Sequence, residues 1–207
     1  MHTYFSVKYN EPQNSSYRIF VAEVASTVNE LLLAHRKLNE CKNDTEKLAI
    51  LNELMETYKG TLYRQAMFAE FERDMHALAE KGEPLTSDLI SKKYYRLVKK
   101  YFGKDVVCDK QIAYEWMRIP HFFSSFYVYK YATCISAATA IVQRIETEGE
   151  EYVKQYIEFL KCGDSRSPLE SLLVAGIDMT KPEVIESAIA EFASCVAKFK
   201  EIYESKK

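Results

Sequence analysis

Glycine and proline are scarce, at six and five of 207 residues. Most intervals between these breakers are longer than β-strands usually run, which argues for a chain that is nearly all helix. Paired cysteines are missing too. The five that occur, at 41, 108, 134, 162 and 195, are scattered, odd in number and form no Cys-x-x-Cys. This pattern argues against a disulfide framework or a thiolate zinc site and fits a reducing, cytoplasmic setting. Charge of one sign is lacking as well: 28 Lys and Arg face 30 Asp and Glu, a net charge of −2. That balance supplies no global field for nucleic acid or an anionic membrane, so neither is expected as a partner. The first residues show no secretory pattern, because Lys8, Asn10 and Glu11 stand where an apolar stretch would be needed. The nearest approach to a long apolar run, residues 119–142, contains His121 and Lys130 and reads as a buried helix preceded by an aromatic loop rather than a membrane span. No HExxH, P-loop or GxSxG motif occurs.

What is present is core material, since 47% of the residues are apolar. That suffices for a sizeable core, and with no repeat or linker the reading is one α-helical domain over residues 1–207. The first seventeen residues read as an incoming element and a polar loop. A helix is expected over residues 19 to about 39. Asn43-Asp-Thr-Glu46 has capping-box spacing and opens a helix toward Tyr58, which Gly60 breaks or loosens. Phe68, Phe71, Met75 and Leu78 recur at helical spacing within a helix over 63–81. Thr86 is placed to cap a helix ending at Phe102 before Gly103, and Asp109 a short one through Met117. Pro120 interrupts the chain. A long helix then runs to about Glu148 and stops at Gly149, and another spans 150–160. Thr180-Lys-Pro-Glu183, a second capping-box pattern, opens the last helix.

Two segments concentrate chemistry. Trp116-Met-Arg-Ile-Pro-His-Phe-Phe-Ser-Ser-Phe-Tyr-Val-Tyr-Lys-Tyr131 sets His121, Tyr127, Tyr129 and Tyr131 in aromatic surroundings. Polar groups placed away from water need partners, so several together suggest a lined site. The plainer reading is a core histidine bonded to a carbonyl, with Tyr127 and Tyr131 one turn apart as ordinary core and Tyr129 facing elsewhere. Glu23 is flanked along its helix by Phe20, Val21, Ala22, Val24 and Ala25. Such a carboxylate is either on a solvated face with Thr27 and Glu30, or buried with a cation or metal. Tyr94-Tyr-Arg-Leu-Val-Lys-Lys-Tyr-Phe102 mixes bases and aromatics, a pattern that an amphipathic helix with a basic outer face also gives.

These segments carry a family resemblance. Phe20-Val-Ala-Glu-Val-Ala-Ser-Thr-Val-Asn-Glu30, Gly82-Glu-Pro-Leu-Thr86, Trp116-Met-Arg-Ile-Pro-His-Phe122, Phe126-Tyr-Val-Tyr-Lys-Tyr-Ala-Thr133 and Ala175-Gly-Ile-Asp-Met-Thr180 together resemble the C-terminal part of the oligoendopeptidase F group of thimet-oligopeptidase-like zinc metallopeptidases. The five segments are collinear and cover essentially the whole chain. Met1-His-Thr-Tyr-Phe-Ser6, which reads as the continuation of a helix, resembles the stretch that follows HExxH in that family. The expectation is therefore a chain beginning just after that motif.

The resemblance implies an all-α, multi-helix C-terminal portion of a zincin-like, mostly helical peptidase catalytic domain. It implies Glu23 as the third protein ligand of zinc, with His121 and the tyrosines as donors to the oxyanion formed when a peptide carbonyl is attacked. Position 126, where relatives with a His-x-x-Gly-Gly-Tyr pattern carry the donor tyrosine, is phenylalanine here, and the oligoendopeptidase F pattern, which moves the tyrosines on, favours Tyr127 and Tyr131 over Tyr129. Cys134 stands where glycine is expected. The implied activity is zinc-dependent hydrolysis of short peptides in the cytoplasm. The 207 residues alone are expected to bind zinc weakly and to be inactive, because one carboxylate cannot replace two imidazoles. The alternative is a non-enzymatic helical interaction module on the same scaffold.

Overall fold

Every regular element of the computed structural model, which describes residues 1–206, is helical, as the breaker-poor sequence predicts. In chain order the α-helices are α1 (His2–Tyr9), α2 (Ile19–Ala22), α3 (Val24–Glu40), α4 (Asp44–Tyr58), α5 (Arg64–Glu80), α6 (Ser87–Phe102), α7 (Tyr129–Glu148), α8 (Glu150–Leu160), α9 (Pro168–Val174) and α10 (Glu183–Glu204). Shorter 3₁₀ segments span Pro12–Asn14, Lys110–Arg118 and Pro120–Phe123. No helix among the described residues is long and apolar enough to cross a membrane.

Local chemistry sets most of the boundaries. The Asn43 side chain accepts the Thr45 N–H at 2.8 Å, and Asp44 and Glu46 in the first turn of α4 complement its dipole. The reciprocal arm of a capping box is not made, because the Glu46 carboxylate accepts the Cys41 thiol at 3.2 Å instead. Gly60 loosens the chain rather than breaking it, within a π-helical turn over Lys59–Tyr63. Thr86 Oγ1 accepts the Leu89 N–H at 3.3 Å and caps α6. Asp109 precedes its segment without a side-chain capping bond.

Two further expectations fail. The helix over 19–39 is interrupted at Glu23, where α2 ends and α3 begins. Thr180 does not cap the last helix, since its hydroxyl donates to Asp178 Oδ1 at 2.6 Å and Pro182 stands at the cap. The complete capping box lies at Ser167 and Glu170, opening α9 with Pro168 in its first turn.

The chain groups into two compact units. The first comprises Met1–Lys59 and the chain from Thr133 onward. In it α3 and α10 pack on α4, α1 and α9 on α8, and α2 on α3 and α9. Its core includes Leu31, Leu51, Tyr58, Ile135, Ile141, Tyr152 and Phe159. The buried Tyr58 hydroxyl lies 2.9 Å from Thr139 Oγ1. Thr139 itself donates to the Ile135 carbonyl at 2.8 Å, so it accepts from Tyr58.

The second unit, Gly60–Ala132, is built on α5 and α6. Met67, Phe68 and Phe71 from α5 meet Tyr94, Leu97 and Val98 from α6, with Ile119 and Val128 completing the core. The mixed basic and aromatic residues of α6 are used within this unit. Tyr94 donates to Glu115 at 2.7 Å, Tyr95 to the Cys108 carbonyl at 2.9 Å, and Lys100 and Tyr101 both reach Glu70.

Candidate active site

The segment that carries His121 is anchored by alternate aromatic and apolar residues. Trp116 donates its indole N–H to Ser91 Oγ at 3.1 Å, and Ile119 is buried. Pro120 fixes the backbone at the start of the turn over Pro120–Phe123. Phe122 then inserts against Phe68 and Phe71, with ring centroids 5.5 and 5.3 Å away, and Val128 is fully buried at the next anchor. Between these anchors His121 stays exposed.

His121, Tyr127 and Tyr131 come together. Their ring centroids lie 5.6 to 5.8 Å apart in tilted and edge-on pairs, and Tyr131 OH is 3.2 Å from His121 Nε2. Lys130 Nζ sits 5.1 Å over the Tyr127 ring. Tyr129, 38% exposed at the start of α7, is two residues from Tyr131 and so about 200° round the helix. The expectation that these groups are hidden from water is not met: the imidazole is exposed and Tyr127 and Tyr131 are half-buried. Trp116, Ile119, Phe122 and Val128 turn inward to the core, whereas Phe123, 91% exposed, stays outside with the polar rings.

Two residues to which the sequence alone assigns no role hold this segment. Phe126 is the one non-glycine among the described residues with a positive φ, at 54°. Its N–H donates to Glu72 Oε1 at 2.6 Å, and Glu72 is 6% exposed. The signal was in the spacing: Phe68, Phe71, Glu72 and Met75 fall at i, i+3, i+4 and i+7, which sets a carboxylate on the apolar face of α5.

Glu23 belongs to the first unit. It is half-buried, beside fully buried Val24, at the junction of α2 and α3. Its carbonyl accepts from the Thr27 N–H and the Ser26 hydroxyl, each at 3.0 Å. Cys134, buried in the same unit, donates to the Phe20 carbonyl at 3.0 Å. Burial, and then the negative charge of Glu23, push the Cys134 thiol up to about 12. No group of three His, Cys, Asp or Glu able to hold a metal ion occurs among the described residues. Glu23 therefore belongs to no such group among the described residues.

Residues 1–191 match the model of peptidase family M3. Oligopeptidase PepF of Bacillus subtilis is 48% identical over 202 residues, covering 98% of this chain and 30% of that protein. An oligoendopeptidase F homolog of Borreliella burgdorferi is 41% identical, over 99% of this chain and 35% of its own length. The crystal structure of oligoendopeptidase-F from Enterococcus faecium superposes with a TM-score of 0.89 at 37% identity, over 99% of this chain and 38% of that one. The chain spans about a third of the length of these relatives.

Proposed function

The chain belongs to peptidase family M3, and from that premise we propose that it serves a cytoplasmic, zinc-dependent oligoendopeptidase F-type enzyme that hydrolyses short peptides. In this reading both compact units belong to one catalytic domain. Glu23 supplies one protein ligand to the zinc, and the remaining ligands come from residues beyond these 207. Bound zinc would polarise the scissile carbonyl and activate water. His121, Tyr127 and Tyr131 act on the peptide. An imidazole N–H and phenol O–H groups held within one cluster can donate to the oxygen that becomes negative as the carbonyl is attacked, and pre-aimed donors of this kind contribute several kcal/mol to such a step. Tyr129, on another side of α7, takes a lesser part.

The observation that carries this reading is the His121, Tyr127 and Tyr131 cluster, with Tyr131 OH 3.2 Å from His121 Nε2, in a chain of this family. The purified 207-residue chain, with one ligand of its own, is expected to bind zinc weakly and to leave a fluorescence-quenched oligopeptide intact. Joined to the upstream part of an M3 peptidase, the same residues should support hydrolysis that a chelator abolishes. Chelator-sensitive turnover by the 207 residues alone would overturn the assignment of the missing ligands. A joined protein that neither holds stoichiometric zinc nor cleaves peptide would turn the reading toward an interaction module.

A further inference from the structure

We propose that Glu72 is the positioning residue of the His121, Tyr127 and Tyr131 cluster, acting by holding Phe126 in a left-handed backbone conformation. The catalytic consequence rests on the functional reading above, whereas the structural part does not.

Helix α5 grips the segment after His121 at two points. Phe68 and Phe71 hold Phe122, immediately after the histidine. One position further along the same face, Glu72 takes the Phe126 N–H at 2.6 Å, immediately before Tyr127. His76, one turn beyond Glu72, stacks on the Phe126 ring with centroids 4.5 Å apart and planes 27° from parallel. Only residues 123–125 lie between the two grips, and they close through Ser124 N–H to His121 O at 3.0 Å and Tyr127 N–H to Ser124 O at 3.1 Å. The direction in which the chain leaves Phe126 therefore sets where Tyr127, and with it the start of α7, stands against His121.

Each half of this device is unfavourable without the other. A phenylalanine at φ 54° crowds its Cβ against its own backbone, and a carboxylate 6% exposed on an apolar helix face has lost most of its water. The short N–H to carboxylate bond joins them, because it is charge-assisted, satisfies the amide and gives the carboxylate its nearest partner, with His76 Nε2 4.0 Å from the same oxygen. With no acceptor at Glu72, the extended conformation becomes the better state for Phe126. Tyr127 then swings away from His121.

The test has two arms. In the 207-residue chain, NMR should find the Phe126 amide proton far downfield, with contacts between the His121 and Tyr131 rings. Glu72→Met, similar in volume but without an acceptor, should move that resonance upfield and remove the ring contacts, and Glu72→Gln, which keeps an acceptor oxygen, should retain most of both. In the active peptidase carrying these residues, Glu72→Met should lower kcat by roughly 10- to 100-fold with KM changed by less than about threefold. Glu72→Gln should recover most of the loss. In a Phe126→Gly background, where positive φ needs no support, Glu72→Met should cost several-fold less. An unmoved Phe126 resonance with intact ring contacts in Glu72→Met, or equal kcat losses in both backgrounds, overturns the proposal. Should Glu72→Met not fold, the unsubstituted chain decides: a Phe126 amide proton at an ordinary shift, or no contacts between the His121 and Tyr131 rings, overturns the proposal. A parent protein without turnover in any form sinks the functional reading, and the NMR arm still decides whether Glu72 holds the segment.

Discussion

His2 is one residue whose protonation should affect stability. It is 7% exposed, stacks on Tyr17 with centroids 3.8 Å apart, and has a buried Nδ1 with no hydrogen-bond partner. Burial, and secondarily the nearby terminal amino charge, lower its pKa from the ordinary 6.5 to about 4. The unfolded chain takes up a proton near 6.5, whereas the folded chain resists until about 4. Stability is therefore full above 6.5 and falls as pH drops through that window, by on the order of 3 kcal/mol. His2→Phe keeps the stack and removes the proton. Urea midpoints at pH 4.5 and 7 should differ less in that variant than in the parent chain, and an equal difference would contradict the account. Individual residues were legible in the sequence to different degrees. The His121, Tyr127 and Tyr131 group is legible through the family resemblance, because the spacing of the tyrosines by itself fits ordinary core equally well. Glu72 was passed over because its helix was read for apolar positions alone. Its pairing with Phe126 joins residues 54 apart in the chain, which no local pattern encodes.

At the scale of elements, the turn after α8 depends on one close approach. Gly163 has φ 54°, and a Cβ there would lie 2.2 Å from the Asn14 carbonyl oxygen and 2.8 Å from Asn10 Nδ2. The backbones meet because the Asp164 N–H donates to Asn14 O at 2.9 Å and Asn10 Nδ2 to Lys161 O at 2.7 Å. Gly163→Ala should destabilise by about 2–4 kcal/mol, combining left-handed strain with displacement of backbone. Gly82 also has positive φ, 75°, but nothing within 4 Å of an added Cβ, so Gly82→Ala should cost only about 1 kcal/mol. Equal losses in thermal or urea unfolding would remove the close approach from the explanation. Helix ends with a local cap, such as those at Asn43, Thr86 and Gly149, were legible because the signal and its partner lie within a few residues. The break at Glu23 was not, since no glycine or proline marks it. Thr180 misled for a related reason: its hydroxyl had a nearer acceptor in Asp178, while Ser167, with proline in the next position, kept its capping partner Glu170.

For the molecule as a whole, the all-α class followed from the shortage of breakers, and family membership from segments spread along the chain. Composition alone carries no chemistry. The groups proposed for the chemistry are the Glu23 carboxylate and a cluster of one exposed imidazole and two half-buried phenols, in a chain that spans about a third of its relatives' length. These groups should separate by function in the active peptidase that carries them. The direct measurement is zinc content beside turnover for Glu23→Gln and His121→Ala. Glu23→Gln should lose metal and activity together. His121→Ala should keep stoichiometric zinc and lose kcat by roughly 100-fold or more, with KM little changed. Equal metal loss in the two variants, or full zinc in Glu23→Gln, would contradict the roles assigned to both residues.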